Sequence, residues 1–188
     1  WRMSAIRQSE QQDETEMYNA VFRFVCFLTS VGFSLILLLF NVITSIFLGP
    51  EFHTAQQYIP ILLLSTVFST YSSFLGVIYA SRRKSMSALQ TTIIGAILNV
   101  LSNLVFIKTL GGIGAAVGTL ISYFIVFLLR FRDTRKYIPF SFDVLPFVFT
   151  HLVFTFSVFA SVWGGLDVVL AGLLCLIVSL IFNRKAIK

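Results

Sequence analysis

The chain has 188 residues, of which 57% are hydrophobic and only 12% are charged, and its mean hydropathy is +0.89. A soluble domain is about 45–50% apolar and about 25% charged, so this composition excludes an ordinary soluble protein and indicates a chain that folds in a lipid bilayer. The net charge is +6, and the basic residues occur in short clusters that flank the apolar stretches. This distribution disfavours nucleic-acid binding and favours a role of the charges in membrane orientation.

The N-terminal segment, residues 1–19, is polar, and we expect it to lie in the cytoplasm and to lead into the first helix. Its acidic residues are Glu10, Asp13, Glu14 and Glu16. Residues 9–12 fit a capping pattern, with Ser9 at the cap and Gln three residues on, so a helix is predicted to begin there. In its early turns the acidic side chains complement the positive end of the helix dipole. A tail that binds a partner is the alternative. Because the sequence begins with Trp1 rather than Met, we expect it to be part of a longer protein.

Residues 20–188 are predicted to form a transmembrane region with six spans. A span needs roughly 20 apolar residues, and the stretches that reach or approach this length are 20–48, 59–80, 89–110, 113–129, 144–163 and 168–182. We predict helices throughout, because an isolated strand cannot satisfy its backbone hydrogen bonds in lipid. Helix starts are indicated by capping patterns at 54–57 and 87–90, by Asp167, and by Pro60 and Pro146. The predicted fold class is therefore all-α, a polytopic membrane helix bundle.

Basic residues are distributed unevenly along the chain. Every Lys and Arg except Lys108 lies before or just inside the first span, in alternate loops, or after the sixth span. This is the positive-inside pattern of membrane proteins. It predicts that both termini and the loop 82–85 face the cytoplasm, whereas the loop 51–57 faces outside.

Small and polar residues follow one face of each of the first four spans. In chain order they are Ser30, Ser34, Asn41 and Ser45; Ser65, Ser69, Ser72 and Gly76; Thr91, Gly95, Asn99 and Ser102; and Gly114, Gly118 and Ser122. In lipid, small residues and hydrogen bonds mediate helix packing. One interpretation is close helix packing, and the other is the wall of a hydrated path. The two are compatible, because a helix can pack on one flank and line a cavity on the other.

The strongest candidates for a polar site are Asn99 and Asn103, since a spacing of four puts both carboxamides on one helix face. In hydrocarbon they must find partners, either on a neighbouring helix or on a polar substrate. Arg23 either extends to the cytoplasmic interface or points into a cavity, where it would attract an anion. The candidate substrate path comprises Arg23, Ser30, Ser34, Asn41, Ser69, Asn99 and Asn103.

The remaining chemically distinctive residues favour structural roles. His151 is interpreted as a hydrogen-bonded packing residue, with a proton relay as the alternative. Lys108 is expected to extend to the interface, and Cys26 and Cys175 to act as small buried hydrophobic residues. The sequence contains no nucleophile elbow, H-E-x-x-H or P-loop pattern. We therefore expect no enzyme activity, no cofactor and no metal.

Two stretches carry a family resemblance. Residues 46–68 read IFLGPEFHTAQQYIPILLLSTVF, a helix end, a short G-P-E-F loop and the next helix. Residues 82–122 read RRKSMSALQTTIIGAILNVLSNLVFIKTLGGIGAAVGTLIS, in which a helix carries N-x-x-x-N and is followed by a glycine turn and G-A-A. Over residues 20–130 the chain resembles bacterial polysaccharide flippases of the multidrug/oligosaccharidyl-lipid/polysaccharide exporter superfamily. The last two spans match this family in number only.

The resemblance implies two helical lobes around a central cavity, of which this chain would be the C-terminal lobe. It implies transfer of a lipid-linked oligosaccharide across the bacterial cytoplasmic membrane for the synthesis of O-antigen of lipopolysaccharide, capsule or a similar polymer. The implied partners are this substrate, membrane lipid, a missing N-terminal half, and a polysaccharide polymerase or ligase. The family's charged cavity residues lie largely in that half. We expect the chain alone to insert but not to transport, because a two-lobe cavity cannot form from one lobe unless two copies pair.

Two other functions remain open. A multidrug-type exporter of the same superfamily would bind organic cations and would need acidic residues within the spans, which the six predicted spans lack. A membrane scaffold without transport would need no hydrated cavity, and all its polar seams would be dry contacts.

Overall fold

A computed structural model describes residues 2–47, 56–139 and 144–182. Within these ranges the secondary structure consists of seven α-helices, and no strand is present. The helices are α1 (Arg2–Leu38), α2 (Phe40–Phe47), α3 (Ile59–Ser81), α4 (Ser85–Leu110), α5 (Gly112–Thr134), α6 (Val144–Trp163) and α7 (Val168–Phe182). The prediction of an all-α helix bundle is confirmed.

Five segments are long and apolar enough to cross a membrane: Glu10–Leu38, Ile59–Ser81, Ser85–Leu110, Gly112–Thr134 and Leu145–Trp163. The sixth predicted span is α7, which is apolar but has only 15 residues. At a rise of 1.5 Å per residue α7 measures about 22 Å, less than the ~30 Å hydrocarbon core. The chain is a multi-pass membrane protein in which, within the described residues, five helices have the full length of a span.

The beginning of the chain is more helical than predicted. Helix α1 includes Arg2, so Ser9 lies inside it and does not cap it. The neighbouring Gln, Glu, Met and Ala residues are good helix formers, and they extend the helix through the capping pattern. The predicted first span is divided at Leu39, although Leu39 N–H still bonds the Leu35 carbonyl at 2.9 Å. Its last residue, 48, lies outside the described residues.

Two other helix boundaries differ from the prediction. Helix α4 begins at Ser85, so Ser87 lies in its first turn rather than at its cap. Helix α5 continues to Thr134, so Arg130 and Arg132 belong to the helix and not to a loop. A span predicted from hydrophobicity ends at the first charge, whereas arginine is a good helix former.

The helix starts that were predicted from proline and aspartate residues agree with the structure. Pro60 is the second residue of α3 and Pro146 the third of α6. The Asp167 carboxylate accepts a hydrogen bond of 2.7 Å from the Val169 N–H, so Asp167 caps α7 as predicted. The capping pattern 54–57 lies partly outside the described residues.

Helix α3 lies at the centre of the bundle and contacts α1, α5 and α6, while α7 packs on α1 and α6. Helix α4 packs mainly against α5 and is the most exposed of the long helices. The core is aromatic: the Tyr71 ring is fully buried, and the Phe33 and Phe154 rings stack with centroids 4.8 Å apart. Cys26 and Cys175 are buried and unbridged, as expected.

One end of the bundle holds the described basic turns, and we call it the basic end. Its exposed cations are Arg83, Lys84, Arg132, Arg135 and Lys136. Arg82 pairs with Glu14 of α1 at 2.6 Å, which ties α1 to the α3–α4 turn. Lys136 donates a hydrogen bond of 2.8 Å to Asp133, and this bond raises the pKa of Lys136. The C-terminal cations at 184, 185 and 188 and the loop residues 51–55 lie outside the described residues.

Candidate functional site: a polar cleft between three helices

A cleft of about 390 Å³ opens between α3, α4 and α5. It is lined by Ser69, Ser72, Ser73, Thr92, Gly95, Ala96, Asn99, Thr119, Ser122, Tyr123, Val126 and Arg130. Most of these side chains carry a hydroxyl, an amide or a charge, although the three helices are each apolar enough to span a membrane. A water molecule occupies about 30 Å³ in the liquid, so the cleft has room for several waters or a small polar group.

Glycines bring α4 and α5 close together beside this cleft. A Cβ atom on Gly114 would overlap the backbone of Phe106, and one on Gly118 would lie 2.8 Å from Asn103 Oδ1. In the opposite direction, Gly95 of α4 accommodates the side chain of Val126. The small-residue seam of α5 is thus a packing surface against α4, as the first interpretation of the sequence predicted.

Asn99 and Asn103 lie on the face of α4 that meets α5. Asn99 Nδ2 donates to Thr119 Oγ1 at 3.3 Å, and Asn103 Nδ2 donates to Asn99 Oδ1 at 3.2 Å. The Thr119 hydroxyl in turn donates a hydrogen bond of 2.9 Å to the Ala115 carbonyl. Asn99 therefore has a partner on the neighbouring helix and also lines the cleft, whereas Asn103 is not among the lining residues. The buried Oδ1 of Asn103 makes no hydrogen bond.

Arg130 closes the cleft toward the basic end. Its Nε–H donates to Thr91 Oγ1 at 3.1 Å, Nη2 donates to Thr92 Oγ1 at 2.9 Å, and Nη1 donates to the Ser72 carbonyl at 2.8 Å. One side chain of α5 thereby joins α3 and α4. Gly76 makes room for it, because a Cβ there would lie 3.3 Å from Nη1.

The guanidinium group of Arg130 points toward the interior of the bundle. Its partner Ser72 lies nine residues before the end of α3, which is about 14 Å along the helix axis. Thr91 lies six residues after the start of α4, about 9 Å from that end. An arginine near a helix end ordinarily extends toward the aqueous interface. Arg130 instead contributes a positive charge to a cleft between membrane-spanning helices.

The other predicted path residues lie elsewhere. Ser30 and Ser34 of α1 are buried in the core, where Ser34 Oγ donates to the Ser30 carbonyl at 2.8 Å. Arg23 is exposed on α1 and does not share their buried environment. Asn41 of α2 lines a separate pocket, together with Ser161 and other residues, at the end of the bundle opposite the basic end. The structure therefore brings together Ser69 and Asn99 of the predicted path, with Asn103 adjoining, and places Arg23, Ser30, Ser34 and Asn41 apart from them.

His151 belongs to a buried network of its own. Its Nδ1 lies 2.7 Å from the Phe147 carbonyl, and its Nε2 lies 3.0 Å from the Tyr71 hydroxyl. A carbonyl only accepts, so Nδ1 carries the proton, and in the neutral ring Nε2 accepts from Tyr71. The Phe147 bond lies within α6, and the Tyr71 bond joins α3 to α6, which agrees with the packing interpretation of His151.

Arg130 is a site residue that the sequence did not predict, because it follows the apolar run of the fourth span and was assigned to a loop. The signal that could have identified it is the combination of a basic residue one turn from a helix end with Thr91–Thr92 and Gly76 on the preceding helices. Thr119 was missed as well, although it lies between Ala116 and Ser122 on the small-residue helix. Within the described residues, no group of three His, Cys, Asp or Glu side chains is placed to hold a metal ion.

Comparison of the chain with models of known protein families, with curated proteins and with solved structures finds no match. The resemblance to polysaccharide flippases therefore stays a prediction.

Proposed function

We propose that the chain is part of a transporter that moves a lipid-linked oligosaccharide across the bacterial cytoplasmic membrane, with the basic end in the cytoplasm. The observation that carries this proposal is the cleft of hydroxyls, an amide and an arginine between three apolar helices. A sugar head group that crosses ~30 Å of hydrocarbon needs such groups to replace its bound water. The lipid tail of the substrate can remain in the bilayer beside the helices.

The charge of the cleft favours an anionic amphiphile over an organic cation. Arg130 is its charged lining residue, and none of the described lining side chains is acidic. The nearby carboxylate of Asp133 is already engaged: Tyr79 donates to it at 3.0 Å and Lys136 at 2.8 Å. A multidrug-type exporter, which would attract cations with a free carboxylate, is therefore the weaker proposal.

A scaffold without transport is favoured by one observation. The Asn99–Thr119 bond shows that at least one polar side chain of the seam contacts a neighbouring helix. If all the seam contacts were of this kind, the cleft would contain no mobile water. The two functions thus differ in whether the cleft is hydrated.

Thiol labelling in membranes tests the hydration of the cleft. We would replace Cys26 and Cys175 by Ala, and then introduce Ser69→Cys in the cleft or Ile97→Cys as the control. Ile97 is 54% exposed on α4 and is not a lining residue, so it faces lipid. Only a thiolate reacts, and thiols in hydrocarbon stay protonated. We expect a water-soluble maleimide to label Ser69→Cys readily and Ile97→Cys hardly at all.

Ligand protection then tests the substrate. A lipid-linked oligosaccharide added to the vesicles should slow the labelling of Ser69→Cys, while a lipophilic cation such as a tetraphenylphosphonium salt should not. Protection by the cation alone would support the exporter and contradict our proposal. If neither Ser69→Cys nor Ile97→Cys were labelled, the cleft would be dry, and this result would support the scaffold.

A further inference from the structure

We propose that the basic end of the cleft binds the phosphoryl group of a membrane lipid, with Arg130 and Ser72 as its protein ligands. Two sources share this chemistry: an anionic phospholipid of the bilayer and the pyrophosphate of a polyprenyl carrier. The second source rests on the proposed function, whereas the first does not.

The charge of Arg130 lacks a carboxylate partner within the described part of the chain. The two ion pairs found there are Arg82–Glu14 and Lys136–Asp133. The guanidinium bonds only neutral oxygens, those of Thr91, Thr92 and Ser72. A cation between membrane-spanning helices is stabilised by an opposite charge. None of the described carboxylates pairs with Arg130, and a bound anionic ligand would supply that charge.

Hydrogen-bond donors remain available beside this charge. A guanidinium has five N–H groups, and three of those in Arg130 are used, which leaves two. Ser72 is only 3% exposed, lines the cleft, and has a hydroxyl that makes no hydrogen bond. The backbone carbonyl of the same residue accepts a hydrogen bond from Arg130 Nη1 at 2.8 Å, so Ser72 is in contact with the guanidinium. A planar guanidinium with spare N–H groups matches the oxygens of a phosphoryl group.

The mouth of the cleft indicates that the ligand arrives from the bilayer. Each of the three helices contributes exposed lining residues, among them Ser73, Ala96 and Tyr123. They lie in the middle parts of α3, α4 and α5 rather than at the helix ends. The cleft therefore opens at the side of the bundle, where a lipid can insert its head group. A free phosphate ion would have to leave water to reach the same place.

Lipid binding to the purified chain tests the proposal. Maltoside detergent contains no phosphate, so phosphatidylglycerol, polyprenyl pyrophosphate or inorganic phosphate can each be titrated into the micelles and counted by native mass spectrometry. The variants are Arg130→Gln, Ser72→Ala, and Arg132→Gln as the matched control, since Arg132 is an exposed cation two residues along the same helix. The thermal unfolding midpoint of each variant verifies its fold.

We expect Arg130→Gln to weaken binding of at least one lipid tenfold or more, and Arg132→Gln to change it less than twofold. Ser72→Ala keeps the charge and the carbonyl bond, so it should weaken binding a few-fold even where Arg130→Gln does not fold. Loss of phosphatidylglycerol binding would identify a resident phospholipid. Loss confined to polyprenyl pyrophosphate would identify the carrier.

Three results would overturn the proposal. The first is equal affinity of the original chain, Arg130→Gln and Ser72→Ala for both lipids. The second is a lower unfolding midpoint of Arg130→Gln with unchanged lipid affinity, which would mean that Arg130 only joins helices. The third is binding of inorganic phosphate alone. Each is independent of the labelling at Ser69→Cys, so this site and the proposed function can fail separately.

Discussion

Replacing Asn99 by Leu should weaken the contact between α4 and α5 slightly and make the cleft less hydrated. Asn99 donates a hydrogen bond to Thr119 and accepts one from Asn103. Leu has a similar volume but can neither donate nor accept a hydrogen bond. Thr119 is not left unbonded, because its hydroxyl still donates to the Ala115 carbonyl. The main group that loses a protein partner is the amide of Asn103.

The structure sets the size of this effect. The two bonds of Asn99 are 3.3 and 3.2 Å long, longer than the usual value near 2.9 Å, so both are weak. The Asn99–Thr119 bond joins two helices, and bonds between membrane helices contribute about 0.6 kcal/mol on average. The Asn103–Asn99 bond lies within α4, where such a pair contributes about 0.2–0.5 kcal/mol. Loss of both bonds should therefore lower the free energy of unfolding by about 1 kcal/mol. The glycine contacts at Gly114 and Gly118 remain and hold the two helices together.

Unfolding in a denaturing detergent series measures the loss of packing between α4 and α5. Maleimide labelling of Ser69→Cys measures the hydration of the cleft. Thr109→Val is the control on the same helix, since the Thr109 hydroxyl bonds only the Phe106 carbonyl of its own turn. We expect a loss of about 1 kcal/mol for Asn99→Leu, less than about 0.5 kcal/mol for Thr109→Val, and severalfold slower labelling only in the former. A loss above about 3 kcal/mol, or unchanged labelling, would refute the dual role of Asn99 in packing and hydration.

Two further substitutions test the packing. Gly172→Ala would place a Cβ 2.7 Å from the Leu38 nitrogen and should lower the free energy of unfolding by about 1–3 kcal/mol. Gly32→Ala is the control: its Cβ meets nothing within 4 Å, so it should be neutral or stabilising by up to about 1 kcal/mol. Equal midpoints of thermal unfolding for the two variants would contradict this difference. Tyr71→Phe removes the hydroxyl that bonds His151 Nε2, leaves a buried acceptor unpaired, and should cost about 1–3 kcal/mol; an unchanged midpoint in the same assay would show that water replaces the hydroxyl.

The order of the helices was predictable because hydrophobic length is a local property of the sequence, but the division of the first predicted span into α1 and α2 was not. The spans at 144–163 and 168–182 match α6 and α7 within the described residues. Helix ends were less predictable, since capping patterns such as those at Ser9 and Ser87 also occur inside helices. The extent of α5 beyond residue 129 was missed for a related reason: a charged residue ends an apolar run without ending a helix.

The site was predictable only in part, because helical periodicity places residues on a face without saying which helix that face meets. Ser30 and Asn99 carry similar signals in the sequence, yet the first is in the aromatic core and the second lines the cleft. The direction of a long side chain is also not encoded locally. Arg130 points inward because Thr91, Thr92 and Gly76, on two other helices, offer acceptors and space.

The contacts at its two ends define the width of the cleft. Toward the end opposite the basic end, α4 and α5 approach closely at Gly114 and Gly118. A Cβ at Gly114 would overlap the backbone of α4, and one at Gly118 would displace the side chain of Asn103. At the basic end, α4 follows α3 through the turn 82–84, and the guanidinium of Arg130 adds hydrogen bonds from α5 to both helices. The buried residues described for α4 are Thr91 and Gly95, and Thr91 is itself a partner of Arg130. A ligand that competes with Thr91 and Thr92 for Arg130 would act on the contacts that hold α4 in place there.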